Sequence, residues 1–140
     1  MVQDTIKDII MWRPIIIATA IVVAIYFVSD MLSGQSLLFS GFLLAGIAVG
    51  FMVGGNIKAG LINGAITGVI AGIITTIMLI IYLLIEGLSA SVMGSIGGTL
   101  AMYIAVEIVI AIAGGAIGFF INSETEFANE ENDESEIPEN

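Results

Sequence analysis

The chain has no cysteine and no histidine, and only three basic residues: Lys7, Arg13 and Lys58. Without cysteine there is no disulfide and no thiolate nucleophile. Without histidine there is no imidazole base. Together the two absences remove most zinc, haem and iron–sulfur ligation. Three cations cannot make a phosphate-binding footprint, so no nucleic-acid partner is expected. Charge of either sign is scarce, at 11% of residues, where a soluble domain carries about a quarter. Neither a phosphate loop nor a dinucleotide fingerprint is present, and the acids lack EF-hand spacing. No paired aspartates lie within an apolar segment. These absences argue against an enzyme, a cofactor or a metal site.

What remains is apolar. Hydrophobic residues make up 58% of the chain, and its mean hydropathy is +1.09. Eight of the thirteen acids follow Ser123: Glu124, Glu126, Glu130, Glu131, Asp133, Glu134, Glu136 and Glu139. Residues 14–122 are nearly uncharged and include apolar runs long enough to cross a bilayer, which takes about 20 residues. The expected class is an all-α integral membrane bundle of four transmembrane helices, with the lipid bilayer as its first partner.

Residues 1–13 form a polar to amphipathic N-terminal segment that ends at Trp12 and Arg13. Tryptophan suits the headgroup level, and Pro14 suits the first turn of a helix. The spans are expected at about 14–32, 37–53, 59–86 and 99–121. The first reads as an uncleaved anchor rather than a signal peptide. GGNIK (54–58) reads as a turn, and GLSASVMGSIGG (87–98) as a connection. Residues 123–140, rich in acids and poor in apolar groups, read as a disordered tail. The three basic residues fall on one side of a four-span topology. The positive-inside rule places that side, and both termini, in the cytoplasm of a multi-pass cell-membrane protein. Trp12, Phe51, Phe119 and Phe120 are expected as inner interface anchors, and Phe39, Phe42 and Tyr82 as outer ones.

Glycine is abundant and periodic. Gly60, Gly64, Gly68 and Gly72 recur every fourth residue, although each costs about 1 kcal/mol of helix propensity against alanine. With Thr67 and Thr75 they share one face of a helix, an arc of about 140° at 100° per residue. In lipid, helices associate through close backbone approach, which small residues permit. Gly46, Gly50 and Gly54 form a matching ladder, so the second and third spans are expected to pack glycine face to glycine face. Gly114 and Gly118 mark the same kind of face on the fourth span. The ladder serves packing within the chain, or in part an interface with a second copy or another membrane protein. AGIAVGFMVGGN (45–56) and AIAGGAIGFFIN (111–122) both carry G-x-x-x-G-F and end in asparagine. That pattern suits either a duplicated hairpin or chance resemblance between glycine-rich segments.

Glu107 sits in YIAVEIVI (103–110), mid-span. An ionised acid there costs roughly 2.5–3.5 kcal/mol on insertion scales, so it should face the bundle interior. It lies within about 40° of Gly114 and Gly118 on the fourth span's glycine face. Two roles remain open. One is a neutral packing residue that hydrogen-bonds Thr67, Thr75, Thr76 or Tyr82; the other is a proton or cation site. Glu86 reads as a solvated helix-end acid. Asn63, one turn inside the third span, should make a backbone or cross-helix hydrogen bond.

The segment GFLLAGIAVGFMVGGNIKAGLINGAITGVIAGII (41–74) resembles a glycine-rich family of small archaeal membrane proteins with four spans, classed as a domain of unknown function. The similarity extends over residues 12–122 and leaves out the tail. It implies a membrane location in an archaeal cell and no activity. The proton-rotor subunit of ATP synthase shares glycine-rich helices and a membrane carboxylate. That subunit is a single hairpin, and GGNIKAG is not its polar loop. The expected function is therefore a non-enzymatic scaffold or accessory subunit held by glycine-mediated packing. The alternative is a proton or cation channel or transporter component built around Glu107.

Overall fold

The computed structural model describes residues 7–31, 37–87 and 89–135. The gap expected between the first two spans, 33–36, and the end of the tail, 136–140, lie outside the described residues. After a short helical stretch at 7–9, four helices follow: α1 (Trp12–Met31), α2 (Leu37–Val53), α3 (Ile57–Ile85) and α4 (Ala90–Ser135). Three helices are long and apolar enough to cross a membrane, and Leu38–Val53 is a shorter apolar helix. The chain is thus all-α and of multi-pass membrane type.

Local chemistry sets the boundaries. Gly54 (φ 56°) and Gly55 (φ 71°) adopt the left-handed conformation that ends α2, as expected for a turn. Asn56 then caps α3, its side chain accepting from the Ala59 N–H at 2.9 Å. Gly87 (φ 83°) closes α3 beyond Glu86, which is exposed at the C-cap.

Two boundaries differ from expectation. α4 begins at Ala90 and not near 99, so most of the expected connection is helical. Its glycines cost propensity, but an unpaired backbone amide in lipid costs several kcal/mol. α4 also continues through the acidic segment to Ser135, where a disordered tail was expected from 123. No glycine or proline interrupts that stretch. Extending an existing helix avoids the nucleation cost that an isolated acidic peptide would face. Ser123 Oγ and Thr125 Oγ1 fold back onto the Phe120 and Ile121 carbonyls at 2.8 and 2.9 Å.

The topology is up-down-up-down. The side chain of Ile25 lies against Gly41, so α1 and α2 form an antiparallel hairpin. Asn63 bonds residues 9–11, which sets the start of α3 beside the start of α1. The bonds are Met11 N–H to Asn63 Oδ1 at 2.9 Å, and Asn63 Nδ2 to the Ile9 carbonyl at 2.8 Å. A third bond, to its own helix at Ala59 O, completes the amide. This asparagine is fully buried, and three hydrogen bonds offset the cost of burying it. The core is built of Ala18, Val22, Phe42, Ala45 and Val49, with Ala59, Ala71 and Ala111. Phe42, expected as an outer interface anchor, is instead fully buried. Its position opposite α1 places it inside the bundle, whereas Phe39 stacks on Tyr103 with ring centroids 6.0 Å apart.

Candidate functional site

The glycines meet at α4. The second and third helices were expected to pack ladder to ladder. Both instead turn their ladders to α4 and meet each other much less extensively. The reason lies in the sequence of α4, where Gly114 with Gly118 and Ala111 with Gly115 offer two small faces about 60° apart.

The first face takes α2. A Cβ on Gly46 would meet the Ala111 carbonyl oxygen and lie 3.0 Å from the Gly114 Cα. A Cβ on Gly114 would meet the Leu43 carbonyl oxygen and lie 3.0 Å from the Gly46 Cα. One turn on, a Cβ on Gly50 would meet Gly115 O and Phe119 N, and one on Gly118 would meet Ile47 O and Phe51 N. The order of these contacts makes α2 and α4 parallel. Asn122 ends the seam, its Nδ2 donating to the Phe51 carbonyl at 3.0 Å.

The second face takes α3, running antiparallel. A Cβ on Gly60 would sit 2.8 Å from Gly115 O, and one on Gly64 2.7 Å from Ala111 O. One on Gly68 would sit 2.9 Å from the Ile108 Cα, and one on Gly72 3.0 Å from Glu107 Oε2. Gly54, grouped by the sequence with the packing ladder, serves the turn. Gly115 escaped the sequence reading; the Gly114–Gly115 doublet was its signal. Asn122 was visible only as the end of a motif.

Glu107 is buried, with 3% of its surface exposed, at the Gly72 end of the α3 seam. Its Oε2 has no hydrogen-bond partner among the described residues. The expected bond to α3 is not formed there. Thr75 Oγ1 donates to Gly72 O of its own helix at 3.1 Å, and Thr67 Oγ1 is buried and also unpartnered. Thr67, Thr75 and Asn63 are all buried on α3. Among the described residues, no three histidine, cysteine, aspartate or glutamate side chains lie close enough to hold a metal.

Two grooves flank the far half of α4, and both are apolar. One, of about 130 Å³, is lined by Ile80, Leu83, Ile96, Gly97 and Leu100. The other, of about 270 Å³, is lined by Phe39, Thr99, Met102, Tyr103 and Val106. A Cβ on Gly94, Gly97 or Gly98 would meet no described residue within 4 Å, so there is open space over these three glycines.

No curated protein and no solved structure matches the chain. Residues 12–121, the four apolar helices without the acidic extension, match one family. The chain belongs to DUF5518, a family of unknown function.

Proposed function

We propose that this is a small, non-enzymatic protein of the cell membrane, a scaffold or accessory subunit held rigid by glycine-mediated helix packing. The observation that carries this reading is the double seam on α4. Two neighbouring helices approach its backbone so closely that no side chain fits between them. Such a seam stiffens a bundle through van der Waals contact and close backbone approach, without relying on polar chemistry.

In this reading all four helices cross the bilayer. At 17 residues α2 is about 26 Å long, slightly short of a 30 Å hydrocarbon core, and slight local thinning accommodates it. At 29 residues α3 is about 44 Å long and must tilt or protrude. Arg13 and Lys58 sit at the end of the bundle where α4 leaves it, so that end faces the cytoplasm by the positive-inside rule. Both termini lie on that side. The resemblance to small archaeal membrane proteins makes an archaeal cell membrane the home. The partner is a second copy or another membrane protein, received where Gly94, Gly97 and Gly98 are left unpacked.

Reconstitution in liposomes under imposed pH and salt gradients tests the reading. A scaffold gives no proton or cation flux with the parent or with Glu107→Gln. Flux in the parent that the variant abolishes would replace the scaffold with a conducting protein.

A further inference from the structure

Glu107 is a buried ionisable group in the α4 seams, and packing alone does not use it. A carboxyl that only filled space would be served as well by leucine or glutamine. Here Oε2 is aimed at Gly72, the last glycine of the α3 ladder, where a methyl group would stand 3.0 Å away. Ile104 lines the rest of that notch, 3.5 Å from the same point. The glycine provides room for the carboxyl and no partner for it.

We propose that Glu107 is a reversible proton-binding site enclosed in the α3–α4 seam, and that the seam opens at Gly72 when the carboxyl is ionised. The step is Glu107–COOH ⇌ Glu107–COO⁻ + H⁺, with the proton exchanged with water.

The ligand is identified by what the site cannot hold. An ionised carboxyl in an apolar interior needs a counter-charge or water. No lysine or arginine lies between Lys58 and the end of the chain, or between Arg13 and Lys58. The titratable groups on the packed helices are few near Gly72. α2 carries no titratable residue. On α3 and its C-cap they are Lys58, Tyr82 and Glu86, at least about 15 Å along the helix. The sequence of α1 carries Arg13 near its start and Tyr26 and Asp30 near its end, and on α4 Tyr103 is half exposed one turn from Glu107. A metal ion needs several oxygens, such as six to eight for calcium. Thr75 is already engaged with the Gly72 carbonyl, which leaves only Thr67 Oγ1 unpartnered on α3. A proton needs neither extra ligands nor extra volume. When it leaves, nothing inside the seam solvates the anion, so the helices must part to admit water.

This goes beyond the scaffold reading, since a proton can bind without crossing the membrane. An absence of flux therefore leaves the following test standing. The full chain in lipid nanodiscs is treated with a hydrophobic carbodiimide, which reacts with the protonated acid, and labelling at Glu107 is mapped by mass spectrometry from about pH 5 to 10. In parallel, hydrogen exchange at residues 69–76 and 104–110 is followed, corrected for intrinsic rates. Labelling should fall with pH while exchange in the parent rises several-fold over the same interval. Exchange in Glu107→Gln, neutral throughout, should stay flat. Labelling that does not vary with pH overturns the proton site, and that measurement needs no variant. Labelling that titrates while parent and variant exchange coincide overturns the coupling to the seam. If Glu107→Gln does not fold, Gly72→Ala replaces it. Its methyl group crowds Oε2, and it should open the seam at lower pH than the parent; an unchanged pH profile would overturn the role of the notch.

Discussion

Substituting Gly50 with alanine tests the seam most directly. The new methyl group would meet the Gly115 carbonyl oxygen, and stand 2.8 Å from the Gly115 carbonyl carbon and 2.9 Å from the Phe119 nitrogen. Ordinary contact begins near 3.4 Å, so the carbonyl carbon alone requires α2 and α4 to part by about 0.6 Å, and the nearer oxygen requires more. Every obstructing atom belongs to the backbone, and no side chain can swing aside. Overpacking of this kind costs about 1–3 kcal/mol, and a backbone obstacle puts this site at the upper end. Alanine returns about 1 kcal/mol in helix propensity. The expected net loss is about 2 kcal/mol, a factor of roughly 30 in the folding equilibrium. Gly98→Ala is the control, because a methyl there meets nothing. It should gain up to about 1 kcal/mol. Unfolding in mixed micelles by increasing dodecyl sulfate, followed by circular dichroism, reads both. If Gly50→Ala unfolds with the parent, or Gly98→Ala loses as much as Gly50→Ala, the seam does not hold the bundle together.

Two further outcomes follow from polar anchors and topology. Asn63→Ala should cost about 1–3 kcal/mol, since it strands the Met11 N–H and the Ile9 carbonyl. Amide exchange at Met11 should accelerate in that variant even below its unfolding transition; unchanged exchange would mean the latch is not formed in lipid. The chain has no native cysteine, so single-cysteine labelling in oriented vesicles is unambiguous. Glu124→Cys should react only from the cytoplasmic side and Ser89→Cys only from the outside, and the reverse pattern would invert the orientation.

Much of the fold was legible because lipid imposes simple rules. Apolar length gave the helices, and Gly54, Gly55 and Asn56 gave the turn. Asn63 was recognised as a hydrogen-bonding residue, though its partners, far away in the N-terminal segment, could not be named from helix phase. Helix phase shows which residues share a face and does not show which neighbour that face meets. That is why the ladders of α2 and α3 were paired with each other and not with α4. Phe42 was misplaced for a related reason: an aromatic near a span end can be anchor or core, and only the position of α1 decides. The start of α4 was hidden because glycine and serine signal a connection in water, whereas lipid penalises the unpaired backbone. Glu107 was found by its cost, but its missing partner is a fact of three dimensions.

The two occurrences of the G-x-x-x-G-F motif, which left duplication and chance both open, can now be compared as packed objects. AGIAVGF (45–51) and AGGAIGF (113–119) are separated by a constant offset of 68, since 114 − 46 and 118 − 50 agree. The contacts obey the same offset. Gly46 faces the carbonyl of Ala111 as Gly114 faces that of Leu43, and Gly50 faces Phe119 N as Gly118 faces Phe51 N. The parallel seam therefore has local two-fold symmetry, the arrangement of a small-residue dimer built within one chain. Chance resemblance between glycine-rich segments does not require reciprocal contacts at matched positions. The one break in the small-residue pattern has its own cause: where α2 has Ile47, α4 has Gly115. A Cβ at 115 would meet the Gly60 carbonyl oxygen and lie 3.4 Å from the Gly64 Cα, both on α3. The symmetry fails at the position where α4 must also accept a third helix.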